Sequence, residues 1–245
     1  MERPVCKLIF ILLILLPLKS IAGYRAEIYS AYINNRMDNW KKVIDDLEST
    51  SEKSNELLLE LVNYQYGYTG YCIGFNKKDE AKKYLLLAQK NIEILENQGY
   101  NLSEINAYKS AFYGFRIGLN PVTAPINGLK SIECAKTALR IDPEQYLGYV
   151  QQGNIQFYMP SAFGGSKHEA LEYYLKARKL LEKDPAANTG NWNYMSLMIV
   201  IGQTYTYLKD YVSAQKTYLK ILEIEPGFLY VRDDLYPKLL KIMEN

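Results

Sequence analysis

A single histidine, His168, is all the imidazole that this chain of 245 residues holds. A zinc enzyme, a Ser-His-Asp triad or a Cys-His pair needs more than that around its histidine. His168 falls in the first turn of an expected helix, inside the box Ser166-x-x-Glu169, and reads as a surface residue. Cysteine is nearly as scarce: Cys6 lies near the start, and Cys72 and Cys134 belong to no C-x-x-C or zinc spacing. Those two read as small buried apolar residues or as a mutual bridge. No G-x-S-x-G, H-E-x-x-H or dinucleotide fingerprint occurs, and the "GGSK" at 164–167 lacks the spacing of a phosphate loop. Acid pairs such as Asp45-Asp46 and Asp233-Asp234 read as solvated helix faces. The sequence therefore names no catalytic, cofactor-binding or metal-ligating residue, calls for no cofactor, and argues against an enzyme.

Charge of one sign is lacking too. With 29 Lys and Arg against 27 Asp and Glu, and no basic cluster on one helix face, the chain has no cationic field for nucleic acid, which is excluded as a partner. Long apolar runs are absent except for "LIFILLILL" at 8–16, too short for a spanning helix of roughly 20 residues. Arg3 and Lys7 precede that run, and Pro17 and Ser20-Ile21-Ala22 follow it, which is the pattern of a secretory signal peptide over residues 1–22. Its removal takes Arg3, Lys7, Lys19 and Glu2, so the remainder, 23–245, is neutral and carries no transmembrane segment. Gly23, not cysteine, follows the expected cut, which favours a periplasmic or secreted protein over a lipid-anchored one.

What is abundant is tyrosine, 23 residues, together with a repeated helical pattern. In "MIVIGQTYTYLKDYVSAQKTYLKILEIEP" Gly202, Tyr205, Ala214, Tyr218 and Pro226 stand at fixed offsets. Small residues at such offsets let two antiparallel helices approach, aromatics fill the space beside them, and the proline stops the second helix. The segment resembles the tetratricopeptide repeat. Gly67, Gly114 and Gly153 take the corresponding place in earlier units, with second helices carrying Ala81, Leu85 and Ala88, then Ser131, Ala135 and Ala138, then Ala170, Tyr174 and Ala177. Residues 24–49 read as a degenerate first unit and "FLYVRDDLYPKLLKIMEN" as a terminal cap, which a solenoid needs to cover its last apolar face. The expected fold is all-α: a single domain of four to five paired units and about ten to eleven helices, for which the resemblance implies a right-handed superhelical solenoid.

The units carry insertions in their internal turns: "GFNKKDE", "GLNPVTAPING" and "NIQFYMPSAFGGSKHEA". In the last of these Met159 precedes proline, so the helix should end near Tyr158. Gly164 and Gly165 would allow positive φ, the Ser166–Glu169 box would start the next helix, and Phe163 would either pack down as an anchor or stand at a binding rim. Insertions confined to one edge of a solenoid often build such a rim. The stretch Tyr149 to Ala177 also looks like the periplasmic tetratricopeptide proteins related to the T component of TRAP-type tripartite transporters. That resemblance implies a binding or adaptor role beside solute capture.

In the resembling family the first helix of each unit lines a concave surface, with the residue after the glycine pointing inward. Counted in turns from those glycines, the inner face would present Tyr64, Tyr68, Tyr71, Phe115, Asn154, Phe157 and Gln203, with Phe163 at the rim. Such an aromatic and amide-rich face suits a protein or peptide partner, or a small hydrophobic ligand. The same aromatics would serve equally as ordinary core. The expected role is that of an exported scaffold or adaptor, with a ligand carrier as the alternative.

Overall fold

The computed structural model describes residues 20–244, so the expected leader lies outside the described residues except for its last three. Eleven α-helices follow one another, and no strand occurs among the described residues. They form five antiparallel pairs: α1 (Ile21–Ile33) with α2 (Met37–Ser49), α3 (Asn55–Gly74) with α4 (Lys78–Asn97), α5 (Leu102–Leu119) with α6 (Ala124–Ile141), α7 (Tyr146–Tyr158) with α8 (Lys167–Leu181), and α9 (Trp192–Tyr207) with α10 (Tyr211–Ile224). A π-helical stretch, Val231–Leu235, then leads into α11 (Tyr236–Met243). Each pair also packs on the next, which is the arrangement of a helical solenoid.

Two kinds of internal turn join the pairs. In α1–α2, α3–α4 and α9–α10 the residue just beyond the first helix is left-handed: Asn35, Asn76 and Lys209 have φ of 53°, 57° and 63°. The following amide then bonds back to the helix, Arg36 to Ala31 O and Lys77 to Cys72 O at 2.8 Å, and Asp210 to Tyr205 O at 3.0 Å. This is a Schellman closure, which satisfies orphan carbonyls and reverses the chain in three residues. The other two pairs replace it with short 3₁₀ turns at 121–123 and 161–163.

The α7–α8 turn has the helix end at Tyr158 that Pro160 requires. Gly164 is left-handed (φ 95°), whereas Gly165 is not; a Cβ on Gly165 would run into the Met159 carbonyl, so space rather than φ demands glycine there. Ser166 Oγ accepts the Glu169 amide at 3.2 Å, while the Ser166 amide is taken by Gln156 Oε1 at 3.1 Å in place of the expected return bond from Glu169. Phe163 does not anchor the loop. It stands 77% exposed.

The glycine register holds in two pairs and fails in two. A Cβ on Gly153 would strike the Tyr174 ring, and one on Gly202 the Tyr218 ring, each in its own second helix. Gly114, in contrast, is exposed and its Cβ would meet nothing within 4 Å. The α5–α6 crossing instead uses a buried Ser110–Ser131 pair, Oγ to Oγ 3.1 Å, and Ser103, whose Oγ donates to Ala138 O at 2.8 Å. Gly67 is packed, but against Trp40 and Trp192 rather than α4. Cys72 is buried, Cys134 half-buried, and both are free thiols; His168 is exposed.

Candidate functional site

The inner face of the superhelix is occupied by the protein itself. Tyr32 of α1 meets Trp40 at 5.9 Å, Trp192 at 5.9 Å and Phe228 at 5.2 Å, and the two indoles lie 4.8 Å apart edge-on. The first pair thus touches the last, and one aromatic cluster fills the space between. Edge-to-face aromatic contacts of this kind contribute about 0.5–1.5 kcal/mol each beyond the area they bury. What remains is a cavity of about 50 Å³ bordered by Tyr66, Tyr146, Asn154 and Trp192. Trp192 Nε1 is buried without a protein partner. Burial pushes the phenols of Tyr32, Tyr66 and Tyr146 upward, which keeps them neutral.

This placement corrects much of the expected concave face. Tyr64 and Tyr68 are core residues: the Tyr64 carbonyl accepts Trp40 Nε1 at 2.9 Å, and Tyr68 meets Tyr84 of α4 edge-on at 4.9 Å. The reason is the turned register of Gly67, since the residue after the glycine points inward only when the glycine faces its own second helix. Tyr71 is half-buried against Phe75 at 4.6 Å, with Lys77 Nζ 5.0 Å over its ring. Phe115 stacks on Tyr66 at 5.6 Å. Asn154 accepts the Tyr174 hydroxyl at 2.8 Å and donates to Gln151 at 3.0 Å, so it serves an internal network. Gln203 is half-buried beside the Tyr230 phenol. Phe157, like Tyr71, reaches the turn edge, where it joins Tyr158 (5.1 Å) and Tyr207 (5.8 Å) beneath Lys167 Nζ (4.4 Å).

The unoccupied surface lies at that edge, where the internal turns emerge. Val122 is 85% exposed, Leu129 72% and Ile126 65%, beside Phe75, Tyr158, Phe163, Tyr207 and Val212. All stand at the turn end of a helix or in the turn itself, so antiparallel pairing brings them to one side. Lys77, Arg116, Lys130 and Lys167 are interleaved with them. From 105 to 132 there is no acidic residue at all. Sequence reasoning found Phe163 but missed Val122, Ile126 and Leu129; for Val122 and Ile126 the signal was there, because apolar residues in a Pro/Gly-rich insertion have no core to face.

At the opposite edge, where consecutive pairs are joined, a cleft of about 560 Å³ opens between α1, the 185–190 segment, α9 and the end of α10. Tyr29 Oη donates to Glu225 at 3.1 Å across it, and Tyr194 Oη donates to Glu182 at 3.0 Å. Burial, and then Glu182, push the Tyr194 phenol up to about 12. Neither glutamate was singled out from the sequence, because nothing in it shows that two helix ends meet.

Residues 196–228 match the family model of the tetratricopeptide repeat. That span covers α9 from its second turn, α10 and the residues that stop it, so one pair of the five carries the recognisable pattern. No curated protein matches the chain in sequence. Among solved structures the chain is similar to the HusA haemophore from Porphyromonas gingivalis, at a TM-score of 0.58 and 18% identity, covering 77% of this chain and 96% of that one. It also aligns with BtubC (BKLC) from P. vanneervenii at a TM-score of 0.38 and 14% identity, over 84% and 78% of the two chains. The first likeness is one of fold. Tetratricopeptide repeats typically mediate protein interactions, and no helix among the described residues is long and apolar enough to cross a membrane.

Proposed function

We propose that this is an exported, non-enzymatic repeat protein that holds a partner protein or peptide against its turn edge rather than in its concave face. The observation that carries this reading is the row of exposed apolar side chains at Val122, Ile126, Leu129 and Phe163, on a chain whose inner face is already filled. Contiguous apolar surface rimmed by polar groups is a mark of an interaction site. Export to the periplasm or beyond rests on the leader pattern at 1–22. Affinity capture from the exported fraction tests the reading, using wild type and an Ile126→Ser/Leu129→Ser variant. Wild type is expected to retain a defined partner that the variant loses while melting within a degree or two of wild type. Equal recovery by both proteins overturns the edge as the site.

The alternative role, a carrier of a small hydrophobic ligand working beside a TRAP-type transport system, draws on the resemblance in Tyr149 to Ala177 and on the fold shared with a haemophore. A spectroscopic titration with haem separates the two. Saturable binding supports the carrier, and an unchanged haem spectrum removes it for that ligand.

A further inference from the structure

We propose that the partner held at the turn edge presents an acidic amphipathic segment, whose apolar side chains cover Val122, Ile126 and Leu129 while an Asp or Glu carboxylate is taken by Arg116 and Lys130. The proposal rests on the reading of that edge as a protein-binding surface, and names the chemistry of what binds there.

Two separate features meet on the α5–α6 pair. The first is apolar: Ile126 and Leu129, three residues apart, stand on the solvent side of α6, and Val122 adjoins them in the turn. The second is cationic. Arg116 of α5 and Lys130 of α6 converge on one half-buried ring, that of Tyr113, with the guanidinium 5.3 Å and the ammonium 5.6 Å from its centroid. Lys130 lies four residues beyond Ile126, so it shares that face of α6 and joins the two features.

The fold supplies no counter-charge to this pair. Among the described residues neither Arg116 nor Lys130 has an ion-pair partner, and no acidic residue occurs from 105 to 132. Glu96 and Glu133, which with Lys109 and Lys130 surround Cys134, are engaged by Lys109 at 2.7 Å and by Arg140 at 3.2 Å. Elsewhere, cations of one helix find acids on another, as Lys41 finds Glu80 at 2.6 Å and Lys183 finds Glu144 at 2.5 Å. At Tyr113 two like charges instead share a ring, whose face holds an exposed cation only weakly. A carboxylate placed beside them relieves the repulsion and accepts charge-assisted hydrogen bonds from both. Charge focused on one ring suits a single carboxylate on a partner chain, whereas an anionic membrane is held by charge spread over clusters of about 4–8 basic residues.

Fluorescence anisotropy of the full mature chain tests the proposal with three labelled short peptides of one leucine pattern, whose polar positions are all Glu, all Gln or all Lys. The Glu peptide is expected to bind saturably, at least tenfold more tightly than the Gln peptide, and to weaken with salt. Arg116→Gln/Lys130→Gln should abolish that preference while melting within a degree or two of wild type, since neither side chain is in an ion pair. Arg116→Glu/Lys130→Glu should turn the preference toward the Lys peptide, which a merely structural role for these residues does not explain. Equal binding of the Glu and Gln peptides, both lost in Ile126→Ser/Leu129→Ser, overturns the acidic partner and leaves the protein-binding edge standing. A Glu preference that survives in Arg116→Gln/Lys130→Gln, or no saturable binding of the Glu peptide, also overturns it, and capture from the exported fraction then decides the edge by itself. Sedimentation with vesicles of phosphatidylglycerol and phosphatidylcholine, against phosphatidylcholine alone, covers the other occupant. No uptake is expected; uptake by the anionic vesicles that Arg116→Gln/Lys130→Gln abolishes assigns the surface to lipid and overturns both readings.

Discussion

The α9–α10 and α5–α6 pairs solve the same packing problem in opposite ways. In α9–α10 the helices cross at Gly202, whose missing side chain makes room for the Tyr218 ring, and a three-residue Schellman turn joins them. In α5–α6 the crossing is built from the Ser110–Ser131 hydroxyl pair and from Ser103 on the Ala138 carbonyl, and an inserted 3₁₀ turn at 121–123 joins the helices. The first solution is the one that matches the repeat family. The second departs from that pattern while keeping the antiparallel pair, with Val122 in its turn and Ile126 and Leu129 in the first turns of α6 exposed to solvent. The inserted turn adds to the surface that Phe75, Tyr207 and Val212 already expose beside the Schellman turns.

The largest effect that would break this comparison is at the two glycines. Gly202→Leu forces a branched side chain into the space of a buried tyrosine ring, and should cost about 3 kcal/mol, the upper part of the range for overpacking. Gly114→Ala, at the matching sequence position, should instead stabilise by up to about 1 kcal/mol through helix propensity. Thermal melts of the two variants decide it: shifts of the same sign would mean that the pairs cross alike.

A smaller contrast concerns alkaline pH. The glycine crossings enclose phenols, and burial pushes Tyr218 up and Tyr174 well up from the usual value near 10. A phenol raised in the fold keeps its proton where the unfolded chain has released it. Its contribution is therefore whole below about pH 10 and is lost as pH rises toward the folded value. Tyr218→Phe removes that liability, and should move the alkaline unfolding midpoint upward although it loses a hydroxyl. Ser131, at the other crossing, carries no titrating group, so Ser131→Ala should lower stability by about 1–2 kcal/mol equally at pH 7 and pH 10. An unchanged alkaline midpoint in Tyr218→Phe would show that other phenols govern the transition.

Smaller again is the left-handed residue that the Schellman turn demands. Asn35 and Asn76 tolerate it, but Lys209 does not by nature (φ 63°). Lys209→Gly should raise stability by about 0.5–1 kcal/mol, measured by urea denaturation. A loss would show that the Lys209 side chain makes a contact worth more than the backbone strain.

Helix number, pairing and the helix end at Tyr158 were legible because periodicity, caps and Pro160 act locally. Gly153 and Gly202 were legible for the same reason, each having its tyrosine in the next helix. Gly67 and Gly114 misled because the same residue type admits two partners: Gly67 faces Trp40 and Trp192, the latter 125 positions away in the chain. Closure of the solenoid through Tyr32, Trp192 and Phe228 was not legible, since superhelical curvature accumulates from small rotations that no single unit encodes. The error in Tyr64 and Tyr68 follows directly, for an inner face that closes becomes core.

The smallest effect on stability should come from Phe163, and that smallness is the informative part. Its loop is fixed by other means: Pro160 O accepts the Phe163 and Gly165 amides at 2.9 and 3.2 Å, Gln156 holds the Ser166 amide, and Gly165 fits against the Met159 carbonyl. The ring, 77% exposed, buries little, so Phe163→Ala should change stability by less than about 0.5 kcal/mol. An aromatic anchor at an interface contributes chiefly in the complex, where its truncation costs about 2 kcal/mol or more. Melting and partner capture measured on the same protein therefore separate two demands that a turn residue and a rim residue meet differently. Unchanged melting with weakened capture places Phe163 in the interaction edge beside Val122, Ile126 and Leu129; unchanged melting with unchanged capture confines the edge to the α5–α6 pair.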